Sequence, residues 1–369
     1  MSPARVPVTH IEIPAIYCPI PFAVHPEHQQ IKQRSLAFLE RYGLLGDERR
    51  RAQAVGSNAA AAAVLCLPSG KTEVVQIGAD LAAFGLAFDD DMAEWQGMSG
   101  RCALMAELMP RVVRTLEHPD SGLLDGLGSF ADAYCDIARR YRAVAGPGTM
   151  TRWVTGHQNW WNGMLWELAC METGRMPDLN AYTYMRIGAV AGTTYMPLVE
   201  QLVDRAIPES EMLSPPTRAL TEMASLLNGF HNDLFSCVVE RANPNQDEGA
   251  RPSPNLVEVL IQEDHLSLEV ALQRAADYAN RMMWLFLRLS EKTSQGGSRE
   301  LRSYLDGLKA EVRGCISFHV EPQQTLRYMH FRATSPLAVQ PRGTVTETPP
   351  PGVEEPLPIP TIRWWWDLL

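Results

Sequence analysis

His231-Asn232-Asp233-Leu234-Phe235-Ser236-Cys237-Val238-Val239-Glu240 lies past the middle of a 369-residue chain. Read as a helix, it sets Asn232, Ser236 and Glu240 at successive turns, so an amide oxygen, a hydroxyl and a carboxylate share one face. Oxygen ligands with one full charge suit Mg²⁺, which keeps several waters and leans on substrate phosphates rather than on an all-protein cage. A solvated polar stripe has the same spacing, and three such residues arise often by chance. What raises the metal reading is a second acidic cluster far upstream.

That cluster is Asp89-Asp90-Asp91-Met92-Ala93-Glu94, at the end of the apolar run from Leu81 to Phe88. Three consecutive aspartates repel one another and lower helix propensity, so a helix that carries them calls for a compensating cation. Asp90 and Glu94 stand one turn apart, with Asp89 beside them. Leu86, Ala87, Phe88, Met92 and Trp95 flank the cluster and argue against a merely solvated helix end.

Composition bounds the rest. Hydrophobic residues at 46% and charged residues at 21% give an ordinary soluble, globular balance. A net charge of −10, with no dense Lys/Arg run, argues against a nucleic-acid surface. Seven scattered cysteines without metal-ligand spacing point to free thiols in a reducing compartment. The first residues lack a signal-peptide core, and the run from Ala59 to Leu67 is far short of the roughly 20 residues of a membrane span. We therefore expect a cytoplasmic protein with no membrane span.

Three regions follow from the chain order. Residues 1–27 are a Pro-rich extended arm and a candidate lid. Residues 28–333 read as successive helical segments, at about 29–46, 48–66, 71–95, 100–116, 122–144, 148–173, 179–203, 215–241, 254–263, 266–294 and 298–333, separated by Gly/Pro/Ser turns. No internal repeat is visible, so they pack as one all-α bundle. The polar insert from Ala242 to Asn255 is a candidate mobile loop at a site mouth. Residues 334–369 are Pro-rich, end in Trp364-Trp365-Trp366, and read as disordered or polyproline-like.

Two arginines stand out. Arg186 sits in an otherwise apolar segment that breaks around Ala189 to Gly192, and Arg327 precedes Tyr328. A partly buried structural role would also account for either one. With the acidic motifs, DDxxxE at Asp89 to Glu94 and NDxxSxxxE at Asn232 to Glu240, they resemble the bacterial class I terpene synthases. That resemblance covers about residues 14 to 333. It implies a helical barrel with a central active-site cavity, metal ligation by Asp89, Asp90, Glu94, Asn232, Ser236 and Glu240, and Mg²⁺, three ions with bound diphosphate. It further implies a diphosphate-sensing Arg186, a diphosphate-gripping Arg327-Tyr328 pair, and an effector segment at Gly192. Val239 stands where the family commonly has lysine or arginine, so Arg241 would have to supply that contact.

The function so implied is ionisation of a linear isoprenyl diphosphate and cyclisation of the carbocation, with a homodimer among the expected assemblies. A carbocation needs a dry, electron-rich wall, and aromatic faces contribute roughly 0.5–2 kcal/mol each. Phe84, Phe88, Trp160, Tyr195, Phe235 and Phe318 are the candidates, although ordinary helix core explains each one individually. The Tyr17-Cys18-Pro19 arm, the DDxxxE spacing and Met196 to Glu200 look like the 2-methylisoborneol synthase branch, which favours geranyl or 2-methylgeranyl diphosphate over farnesyl diphosphate. A prenyltransferase of the same architecture and a non-enzymatic helical scaffold are the alternatives.

Overall fold

The computed structural model describes residues 8–94, 100–241, 253–320 and 338–369. Among them the chain is all-α in its body, with fourteen helices and no closed sheet. In order these are α1 (His28–Arg41), α2 (Glu48–Ser57), α3 (Ala60–Cys66), α4 (Thr72–Glu94), α5 (Arg101–Glu117), α6 (Ser129–Val144) and α7 (Pro147–Thr173). Then come α8 (Leu179–Ala189), α9 (Gly192–Glu200), α10 (Glu209–Met212), α11 (Pro215–Arg241), α12 (Leu256–Asp264), α13 (Leu268–Gly296) and α14 (Arg299–Val320).

Local chemistry sets the ends. The side chains of Asp47, Asp178, Asn255 and Ser267 each accept a first-turn backbone N–H, at α2, α8, α12 and α13. Pro147 opens α7, and Gly174 closes it at φ 61°. Three expected segments are cut. The 48–66 segment divides at Asn58, which adopts φ 48°. The 122–144 segment starts only at Ser129, because Gly122, Gly126 and Gly128 all take positive φ. The 179–203 segment breaks where sequence indicated, between Ala189 and Gly192, with Ala191 at φ 63°.

That break is held by close backbone approach. A Cβ on Gly163 would stand 2.4 Å from the Ala189 nitrogen, one on Gly188 2.4 Å from the Asn159 oxygen, and one on Gly192 2.4 Å from Ser225 Oγ. Only glycine lets α7 and α11 close on the segment from both sides. Around it, α11 packs against α8, α9, α12, α13 and α14. Leu220, Met223, Leu227, Phe230 and Leu234 of α11 are fully buried.

The two ends of the chain differ from expectation. Strand β1 (Val8–Glu12) pairs in parallel with β3 (Ala338–Arg342), and β2 (Ile16–Tyr17) with β4 (Val345–Thr346). The Tyr17 N–H donates to Asn280 Oδ1 at 2.7 Å, and Asn280 Nδ2 donates to the Ala15 carbonyl at 3.1 Å. Ala15 to Tyr17 is thus tied to α13, and residues 8–12 to the tail strand β3. Nor is the tail disordered over residues 338–369. Leu357, Ile359, Ile362 and Trp365 are buried, and a 3₁₀ helix (Pro360–Leu368) lies on α8 and α11. Proline has no N–H to satisfy, so an extended Pro-rich segment can bury isolated apolar side chains without any helical or strand period.

Among the described residues no helix is long and apolar enough to cross a membrane. All seven cysteines are free thiols.

Candidate active site

Arg186, in the last turn of α8, is 9% exposed and lies across α11. A Cβ on Gly229 would stand 2.8 Å from Arg186 Cγ, so that glycine makes room for the stem. The guanidinium Nη2 donates to Asn232 Oδ1 at 2.7 Å and meets Asp233 Oδ1 at 2.7 Å. Asp233 Oδ2 accepts from the Tyr182 hydroxyl and from the Leu256 N–H at 3.2 Å. Asn255 bridges two turns of α11, its Nδ2 donating to the Asp233 carbonyl and to Ser236 Oγ, each at 3.3 Å.

The charges fit that geometry. Burial works against the Arg186 charge, but Asp233, with Glu167 and Glu240 further out, holds its pKa above the ordinary value. Burial likewise raises the Asp233 carboxyl, against the pull of Arg186 and Tyr182. The result is a cation fixed in a low-dielectric setting beside the first residue of the Asn/Ser/Glu motif, where an anionic group would be strongly felt.

Asn232, Ser236 and Glu240 are half-buried on the last three turns of α11. They offer one carboxylate and two neutral oxygens, the donor set of a hard divalent cation. An amide oxygen has two lone pairs, so the Arg186 contact does not by itself exhaust Asn232. Among the described residues no three His, Cys, Asp or Glu side chains gather as a metal cluster. A site built from Asn, Ser and a single Glu would not form such a cluster on its own. The α4 backbone runs helically through Asp89, Asp90 and Glu94, whose side chains lie outside the described residues, as do Arg327 and Tyr328 altogether. Arg241 is committed elsewhere, in a two-bond ion pair with buried Glu258 of α12, so it does not replace the cation missing at Val239.

Residues 80–283 match the family described as terpene synthase family 2, C-terminal metal binding. The chain belongs to this family. A spiroviolene synthase of Streptomyces violens is 27% identical over 98% of both chains. A bonnadiene synthase of Allokutzneria albata is 29% identical, covering 98% of this chain and 99% of that one. Among solved structures, the SVS_A2 protein from ancestral sequence reconstruction superposes with a TM-score of 0.77 at 29% identity, over 96% of this chain and 99% of that one. This protein is therefore a class I terpene synthase, a lyase-type enzyme that cyclises an isoprenyl diphosphate.

In this terpene synthase the expected wall residues fall into two groups. Phe84 and Phe88 stack at 6.1 Å, and Phe84 stacks on Tyr134 at 4.8 Å. Phe88 meets Trp161 at 5.6 Å, and Trp160 reaches over Gly85. The Tyr195 hydroxyl donates to the Gly78 carbonyl at 2.5 Å, tying α9 to α4. Phe235 lies elsewhere, stacked on His319 at 5.4 Å beneath Gly343 of the tail, with Phe318 edge-on to the same imidazole. A cleft of about 290 Å³, lined in part by Cys170, Met171, Arg175, Pro254 and Gln262, includes none of these residues.

Sequence reasoning passed over Asp233, Tyr182, Asn255 and the Asn228–Glu311 pair. The first was in plain view inside the motif. Its role depends on Tyr182, 51 positions away, which no local pattern signals.

Proposed function

We propose that this synthase ionises and cyclises farnesyl diphosphate, with Arg186, Arg327 and Tyr328 receiving the diphosphate and Asp89, Asp90, Glu94, Asn232, Ser236 and Glu240 holding Mg²⁺. The observation that carries the reading is the Arg186–Asn232–Asp233 constellation, which joins a fixed cation to the first ligand of the motif. Bound Mg²⁺ would supply positive charge to the departing diphosphate. The protein's part is to orient that group with Arg186, whose fork can grip two oxygens, and to keep the neighbouring aromatic walls dry. Phe84, Phe88 and Trp160 line up behind the acidic end of α4 and form the first wall. Phe235 and Phe318 form the second.

Relatives support the substrate class. A T-muurolol synthase of Streptomyces clavuligerus and a 4-epi-cubebol synthase of Streptosporangium roseum are described as farnesyl diphosphate cyclizing, whereas a Streptomyces relative described as a diterpene cyclase makes a C20 diphosphate the runner-up. The relatives named here lend no support to the 2-methylisoborneol branch, so geranyl and 2-methylgeranyl diphosphate rank behind farnesyl diphosphate. The test is incubation with geranyl, 2-methylgeranyl, farnesyl and geranylgeranyl diphosphates plus Mg²⁺, with gas chromatography of the products. Farnesyl diphosphate should give the highest kcat/KM. Exclusive turnover of a shorter or longer substrate would overturn the assignment.

A further inference from the structure

Ser236 uses its hydroxyl differently from other hydroxyls inside the helices. Thr151 and Thr155 of α7 and Thr183 of α8 each donate to the carbonyl four residues earlier, at 3.1, 3.0 and 2.7 Å, and Ser317 of α14 does so at 2.9 Å. That back-bond is the usual habit of a helical hydroxyl. Ser236 Oγ instead takes a partner outside its helix, Asn255 Nδ2 at the start of α12.

The orientation of the Asn255 amide is fixed by its surroundings. The residue is 2% exposed, its Oδ1 accepts from the Val257 N–H at 2.9 Å, and its Nδ2 donates to the Asp233 carbonyl and to Ser236 Oγ, each at 3.3 Å. Turned over, the amide would set its oxygen against the Asp233 carbonyl and its N–H₂ against the Val257 N–H, so only one orientation satisfies every partner. Ser236 Oγ is therefore the acceptor. One of the two lone pairs of this hydroxyl meets Asn255, and the other is left for a cation. The bonds on either side hold the two helices in register. The Leu256 N–H donates to Asp233 Oδ2 at 3.2 Å, and Glu258 pairs with Arg241 through two bonds. The start of α12 thus grips α11 at Asp233, Ser236 and Arg241, along the stretch that carries Ser236 and Glu240.

We propose that Asn255 is a positioning residue for metal binding, which holds the Ser236 hydroxyl off the Asn232 carbonyl and leaves its oxygen available to Mg²⁺. The inference deepens the reading above and rests on it, since Ser236 is there a metal ligand. Asn255 touches neither metal nor substrate and acts only through Ser236. A ligand whose rotamer is already set loses less freedom on binding, and residues that orient ligands in this way are worth about 10–100-fold in metal affinity.

Thermal unfolding in inorganic diphosphate at increasing Mg²⁺ reads this without turnover, because ligands that bind only the folded protein raise its stability. Asn255→Ser keeps a residue that caps α12 but is too short to bridge to Ser236. It should raise the Mg²⁺ concentration for half-maximal stabilisation about tenfold, and Asn255→Thr, which also caps, serves if Asn255→Ser does not fold. In a Ser236→Ala background the same change should move that concentration less than about twofold, because the group through which Asn255 acts is gone. A native-like Mg²⁺ response in Asn255→Ser would overturn the proposal. So would an equal shift in the Ser236→Ala background, which would make Asn255 a packing residue alone. Native protein that gains no stability from Mg²⁺ with diphosphate would remove the metal reading itself, and the inference with it.

Discussion

At Asp233 a buried carboxylate meets the Arg186 guanidinium, the Tyr182 hydroxyl and the Leu256 N–H. At Glu311, packed against the same helix at Asn228, another buried carboxyl meets one amide, and its second oxygen has no partner among the described residues. The first region is charged, paired and rigid, as befits the place where a diphosphate arrives. The second has fewer partners among the described residues, and burial pushes its carboxyl up to about 8. Both acids sit at α11, but α8 and α12 give Asp233 three partners whereas α11 gives Glu311 one.

Removing the partner at the charged end should have the largest effect. Asp233→Ala leaves Arg186 buried without its counterion, and such losses cost about 3–5 kcal/mol. Urea unfolding should show it, and a cost below about 1 kcal/mol would mean that Arg186 finds another anion.

Arg186→Lys keeps the charge but loses the fork. We expect kcat/KM to fall about hundredfold, near 2.7 kcal/mol of transition-state stabilisation, with the melting temperature much less affected. A fully active variant would reduce Arg186 to a packing element and erase the functional half of the comparison.

A slope, about 1 kcal/mol at any one pH step, separates the acids by pH. Burial raises the Glu311 carboxyl from its ordinary 4.5 to about 8, so between those values the folded state holds a proton that the unfolded chain has released. Stability attributable to this group is intact below the unfolded pKa, falls through the window between about 4.5 and 8, and levels above it. The slope is about 1 kcal/mol per pH unit, and Glu311→Gln should flatten it. Identical slopes in native protein and variant would place the carboxyl in a better-solvated setting than its burial indicates.

Much of this architecture is readable before any coordinates. Helix spans follow from apolar period and capping residues, and the break at Ala189 to Gly192 shows in the sequence. The spacing of Asn232, Ser236 and Glu240 is visible too. What escapes is long-range. Asn228 and Glu311 are 83 positions apart, and neither signals the other. Leu123, Leu124 and Leu127 mimic a helix start that three positive-φ glycines forbid. The tail misleads because composition registers its prolines, whereas its place is decided by Trp365, fully buried and donating to Glu222 on α11 at 3.4 Å.

The parallel pairing of β1 with β3 carries a consequence for how the molecule is made. Val8 and its partner Ala338 stand 330 positions apart, so β1 leaves the ribosome long before β3 and waits for it with its hydrogen-bonding edge unfilled. Contacts of such separation form late, after closure of the intervening chain has been compensated by helix packing. Pairing β1 with β3 is then a late event of assembly.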